Sequence, residues 1–157
     1  MIISPVFLKK MGYKFAREIL SYDFLHPEEK LWRAVVVNGI EDCLIKKSDR
    51  KSSLIKCTSH DWIMNKDAFD TVCDFGKLDS YTMRSCYIVA IKNRVVQFSW
   101  KQIAWYKYDI LYKKMLSSEK TKRKLLRGEL NKMRPAVVTS STETISTLFT
   151  EALSKIF

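Results

Sequence analysis

Glycine and proline are scarce in this chain, four and three residues in 157. An all-β protein needs many tight turns, which those residues serve, so the class expected is all-α. No apolar run reaches the roughly 18 residues that a membrane span requires. The opening MIISPVFLKKMGYKF has a short apolar stretch followed, not preceded, by lysines, and does not read as a signal peptide. The expectation is a cytoplasmic protein with no membrane partner. Also missing is any CxxC pair: Cys43, Cys57, Cys73 and Cys86 stand 14, 16 and 13 residues apart, and His26 lies far from His60. Such spacing fits buried, reduced thiols and excludes a zinc finger. There is no glycine-rich phosphate loop and no nucleophile motif. Glu41 and Asp42 are adjacent and point apart on a helix, so they make a poor acid–base pair, and the His60-Asp61 dipeptide has no nucleophile near it in sequence. No enzyme, cofactor or metal site is expected.

What the chain does have is positive charge, +11 overall, and it is concentrated. Residues 1–91 carry 14 basic and 12 acidic groups, residues 92–134 carry 13 and 3, and residues 135–157 carry one and two. A cationic stretch of this kind suggests a polyanion as partner, because Lys and Arg release condensed counterions from phosphates. The alternative is a solvated face that only keeps the protein soluble. An apolar content of 46% is ample for a buried core.

The helical pattern can be followed along the chain. Residues 10–22 form a short helix burying Phe15, Ile19 and Leu20, closed by Leu25. In HPEEK, Pro27 suits a first helical position, and Glu28 and Glu29 complement a helix N-terminus. That helix is expected to reach Lys46, with Leu31, Trp32, Val35, Val36, Ile40, Cys43 and Leu44 on its inward face. The polar run KKSDRKSS reads as a mobile linker, followed by a short helix capped by Ser59 and holding Trp62, Ile63 and Met64.

Residues 69–87, FDTVCDFGKLDSYTMRSCY, look like two helices joined by a tight turn, the unit many small proteins insert into the major groove of DNA. Asn65 or Asp67 starts the first helix. Cys73 is the small residue where the helices cross, Leu78 plugs the turn, and Asp79 caps the second helix by accepting from its free amides. Met83, Cys86 and Ala90 follow at inward spacing. Ser80, Tyr81, Thr82, Arg84 and Ser85 are then expected outward, where a recognition helix meets bases and phosphates. The residue before the plug usually takes a left-handed conformation and is usually glycine; here it is Lys77, with Gly76 one place early.

LWRAVVVNGIEDC and SHDWIMNKDAFDTVCDFGKLDSYTMR together resemble a family of short helix-turn-helix proteins of alphaproteobacteria and their prophages. The matching residues are Leu31, Trp32, Ala34, Val35, Ile40, Asp42, Trp62, Phe69, Val72, Cys73, Leu78, Asp79 and Arg84, within residues 31–86. The departures are Gly76-Lys77 where the family has Ala-Gly, and Ser80 where it has Pro. The resemblance implies a DNA-binding or phage-regulatory role.

Beyond Arg94 the sequence becomes rich in aromatics and lysine. Ser99 caps a helix with Trp100, Ile103, Ala104, Ile110, Leu111 and Met115 inward, and Lys101, Lys107, Lys113, Lys114, Tyr106, Tyr108 and Tyr112 outward. Aromatics among lysines can stack on a single strand, but a packed core with snorkelling lysines accounts for the pattern more simply. A second helix, from Ser118, carries a thin stripe of Leu125, Leu126, Leu130 and Met133 and ends at Arg134-Pro135. A Ser/Thr-rich linker leads to a last amphipathic helix with Ile145, Leu148, Phe149, Ala152, Leu153 and Ile156 on one side. It can dock back, pair with a second copy, or bind a protein partner.

The expected organisation is thus a compact helical domain containing a helix-turn-helix (1–94), a basic, aromatic-rich extension (95–134), and a linker with a terminal helix (135–157). The expected function is sequence-specific binding of double-stranded DNA by a bacterial or phage transcription regulator. Lys77, Ser80, Tyr81, Thr82, Arg84 and Ser85 would contact bases and near phosphates, and Lys92, Arg94, Lys122, Arg123 and Lys124 further phosphates. A protein-interaction adaptor, contacting RNA polymerase or a phage component, and a small terminase-type DNA-packaging subunit are the alternatives.

Overall fold

The computed structural model describes residues 4–21, 25–145 and 148–155. Among these residues the protein is all-α, with helices and no strand. Tyr22 and Ile156, both given places on helices above, lie outside the described residues. The chain divides into two compact units: Met1–Leu44 with Thr58–Val96, and Ile45–Cys57 with Gln97–Phe157. This differs from the division expected. The basic stretch and the tail fall in one unit, and residues 45–57 join them.

In the first unit, α1 (Pro5–Met11) and α2 (Tyr13–Leu20) replace the single helix expected, broken at Gly12. Phe15 and Ile19 are buried as anticipated, but Leu20 is exposed. Helix α3 (Pro27–Asp42) starts at its proline, where Glu29 accepts from the His26 amide at 3.0 Å. It ends four residues short of Lys46, and its buried face is rotated by about one residue. Arg33, Val36, Val37 and Ile40 face inward, while Leu31 and Val35 are exposed. The cause is Arg33, a charged residue that the apolar pattern places outside.

The stretch expected as a linker is instead the start of a 15-residue helix, α4 (Arg50–Met64). Asp49 begins it, its carboxylate accepting from the Ser52 amide at 3.1 Å. The helix escapes hydropathy reading because its inward residues are Ser53, Lys56, Cys57, His60 and Ile63, mostly polar yet all buried. Residues 58–64 of α4 belong to the first unit. There Trp62 meets Phe69 edge-on, with centroids 5.2 Å apart, and lies so close to Gly39 that a Cβ there would fall 2.5 Å from its ring. His60 Nδ1 is 2.5 Å from the Tyr87 hydroxyl, and both side chains are buried. The unit is completed by α5 (Lys66–Phe75) and α6 (Ser80–Lys92).

The second unit is built on α7 (Trp100–Leu116) and α8 (Lys120–Val138). Ser99 and Gln102 cap α7 reciprocally: Ser99 Oγ accepts from the Gln102 amide and Gln102 Oε1 from the Ser99 amide. Gln102 Nε2 also donates to the carbonyls of Ile45 and Lys47 (3.2 and 2.9 Å), and Lys56 donates to those of Ile45 and Gln97. These bonds tie residues 45–57 into the unit. Arg50 lies over the rings of Trp105, Tyr108 and Tyr112, 5.3–5.9 Å from their centroids. Trp105 and Tyr108 are buried and Ile110 is exposed, so the aromatics of α7 are mainly core.

Helix α8 does not stop before Pro135 but runs three residues past it. The proline forfeits one backbone bond, while the buried Val137 holds the turn that follows. The last helix, α9 (Phe149–Lys155), starts later than expected, leaving Ile145 and the exposed Leu148 outside it. It docks back within its own unit: Phe149 packs on Phe98 and Tyr106 with centroids 4.9 and 6.0 Å apart, and Ala152 is buried.

Candidate nucleic-acid interface

Helices α5 and α6 are joined by residues 76–79. Asn65 caps α5, its side-chain oxygen accepting from the amides of Asp67 and Ala68. The helix ends in a Schellman motif: Lys77 N–H reaches Asp74 O and Leu78 N–H reaches Cys73 O (2.8 Å), with Lys77 left-handed at φ 50. Leu78 is buried in the turn, and Asp79 caps α6 by accepting from the Thr82 amide at 3.1 Å. The Thr82 hydroxyl, aided by backbone amides, holds the Asp79 carboxyl below its ordinary range. Cys73, Met83, Cys86 and Ala90 are buried, and burial pushes the Cys73 thiol up to about 12, so it is inert at neutral pH.

The displaced glycine has a steric cause. A Cβ at Gly76 would lie 3.1 Å from both Cγ and the backbone nitrogen of Arg33, where α3 crosses the turn. Position 76 therefore favours glycine for space, and the left-handed position falls to Lys77. Arg33 then secures the turn. Its Nε donates to Gly76 O (2.7 Å) and one terminal nitrogen to Lys77 O (3.0 Å), while the other reaches the carbonyls of Glu18, Ile19 and Ser21 at the end of α2. Lys77 also pairs with Glu29 at 3.0 Å, a contact that holds the Glu29 carboxyl below its ordinary range. Arg33 was not among the candidate residues, because nothing in its sequence neighbourhood marks it as buried.

The candidate residues fall into separate groups. Lys77, Ser80, Tyr81 and Thr82 surround the start of α6, with Tyr81 77% exposed and Ser85 one turn further along. Lys92 and Arg94 are exposed at the far end of α6, about 20 Å away at 1.5 Å per residue. Arg94 repeats the Lys77 arrangement, left-handed at φ 58 with Val95 N–H bonded to Ala90 O. Lys122, Arg123 and Lys124 are exposed on α8, in the second unit. Arg123 also donates to the carbonyls of Leu116 and Ser118.

Arg84 departs from expectation. Instead of pointing outward it folds back, donating from Nε to Ile63 O (3.0 Å) and pairing with Asp70 (2.6 Å). Its guanidinium lies over the Phe69 ring at 5.2 Å, and its side chain is 15% exposed. These donors are committed within the unit, and its part is to brace α6 against α4 and α5.

The net charge divides sharply. The first unit has 11 basic and 11 acidic side chains and is neutral; the second has 17 and 6, hence all of the +11. Within the first unit, residues 65–92 balance Lys66, Lys77, Arg84 and Lys92 against Asp67, Asp70, Asp74 and Asp79. Among the described residues no His, Cys, Asp and Glu cluster could hold a metal ion, and no helix is long and apolar enough to cross a membrane. Comparison with protein-family models, curated proteins and solved structures finds no match to this chain.

Proposed function

We propose that the protein binds double-stranded DNA in a sequence-specific way, as a transcriptional regulator of bacterial or phage type, and that it is not an enzyme. The observation that carries this reading is the α5–turn–α6 unit. Its inward side is filled by Cys73, Leu78, Met83 and Cys86, while Ser80, Tyr81, Thr82 and Ser85 stay at or near the surface of the first two turns of α6. Hydroxyl groups there can read base edges, and the Tyr81 ring supplies an apolar contact for a thymine methyl. Lys77 would add a phosphate contact. Selection from a random-sequence duplex pool at two salt concentrations tests it. Recovery of a short motif, lost in Tyr81→Ala, supports the reading, and binding without any motif overturns it.

A protein adaptor is the second reading, favoured by one observation. Leu31 and Phe75 are 62% and 52% exposed, and the half-buried Trp32 packs at a tilt against Phe75, with ring centroids 5.1 Å apart. Exposed apolar groups in one place suit a protein partner. If this reading holds, Leu31→Lys with Phe75→Lys abolishes capture of that partner and leaves DNA binding as it was.

A further inference from the structure

Helix α8 carries its charge on one side. Lys120, Lys124, Arg127 and Arg134 stand at offsets of 0, 4, 7 and 14, with Asn131 at 11, so all five share a helical face. Every one of them is exposed. The inward face of α8, Leu126, Leu130 and Val137, is buried. Glu129, the one acidic residue of α8, lies on the side away from the stripe. None of the four cations has a carboxylate three or four residues away, and no ion pair among the described residues involves them. A face that only solubilises mixes its signs. Here like charges sit three and four residues apart, which weakens a helix unless a polyanion lies along it.

We infer that the stripe Lys120–Lys124–Arg127–Arg134 is the phosphate-binding surface of the protein and that its ligand is the backbone of a DNA duplex. This deepens the proposed function and rests on its nucleic-acid part, not on sequence reading by α6. The stripe is about 20 Å long at 1.5 Å per residue, and a duplex offers about a dozen phosphate charges over that length. A membrane surface fits less well, because an interfacial helix inserts a continuous apolar face; on α8 Leu126, Leu130 and Val137 are buried, and the exposed Leu125 and Val138 stand 13 residues apart. Single strands fit less well too, because the stripe contains no aromatic ring on which bases could stack. The neutral first unit would then select among sequences while the second supplies affinity.

The test is anisotropy titration of the full chain against a random-sequence DNA duplex from about 50 to 200 mM salt, the range over which four phosphate contacts lose roughly a hundredfold in affinity. Lys124→Gln/Arg127→Gln is compared with Lys51→Gln/Lys132→Gln, which removes the same charge from exposed positions of the second unit off the stripe. Gln is close to Lys and Arg in helix propensity, so α8 is kept. The first pair should lower the salt slope by about 2 and the second should leave it unchanged, with Lys120→Gln/Arg134→Gln repeating the effect of the first. Equal loss from on-stripe and off-stripe pairs overturns the stripe, as does no loss from either, or binding of phosphatidylserine vesicles without duplex binding. If the slopes separate but the pool yields no motif, the stripe stands and sequence reading falls. If a motif is recovered and the slopes coincide, the reverse holds.

Discussion

Arg33 donates to carbonyls of two chain segments, the end of α2 and the turn after α5, which are otherwise joined by the Asp79 amide donating to the Glu18 carboxylate. Removing it leaves several buried or half-buried carbonyls without their donor, which costs about 3 kcal/mol or more. Arg33→Ala should lower the denaturant midpoint accordingly, and Arg33→Lys should recover little, because one ammonium cannot span both sets. Lys77 and Arg94 make a gentler test. Each holds a left-handed C′ position that glycine occupies without strain, so Lys77→Gly should be about 1 kcal/mol more stable than Lys77→Ala. Arg84→Ala would unfasten α6 from Ile63 and Asp70, so lost DNA binding in that variant would report lost structure. Tyr81→Ala carries no such ambiguity, since the side chain is almost fully exposed.

His60 gives the residue scale a pH dependence. Burial lowers its pKa to about 4, whereas the unfolded imidazole protonates near 6.5. Above pH 6.5 both states are neutral and stability is complete. As pH falls from 6.5 to 4 the unfolded chain takes up a proton that the folded one refuses, and stability drops by up to roughly 3 kcal/mol. Unfolding followed by denaturant at pH 7.5 and pH 4.5 should show that loss in the native protein. In His60→Gln the loss should shrink, even though the variant starts less stable for want of the Tyr87 contact.

At the scale of elements, α8 tolerates a proline in its last turns, where the bond to the Asn131 carbonyl cannot form. Pro135→Ala restores a donor and should stabilise the protein by about 1–3 kcal/mol, read as a higher denaturation midpoint. The elements also mark what could be read in advance. The caps at Asn65, Asp79 and Ser99 are local chemistry, and with the inward run Cys73, Leu78, Met83, Cys86 they were visible as residue types at fixed spacing. Helix α4 was not, because its buried face is Ser53, Lys56, Cys57 and His60, and Lys56, Cys57 and His60 are satisfied by groups remote in sequence. The same reason hid Arg33 and turned Arg84 from the candidate surface to the frame. Hydropathy assigns a charged residue to water, and only the folded chain brings it the carbonyls that make burial tolerable.

For the whole molecule, the neutral first unit and the cationic second should respond differently to salt. Screening should leave the stability of a balanced unit nearly unchanged and relieve self-repulsion where 17 basic groups face 6 acidic ones. Hydrogen exchange at about 0.05 and 0.5 M salt checks this, with protection expected to rise mainly in residues 97–138. The second unit is also discontinuous in the chain, and that gives its assembly a clock. Lys56 leaves the ribosome 41 residues before Gln97, whose carbonyl it will hold. At roughly 5–20 residues per second its ammonium group waits about 2–8 seconds for that acceptor, and through that interval the nascent chain presents the polar inner face of α4 uncovered to whatever chaperone is nearby.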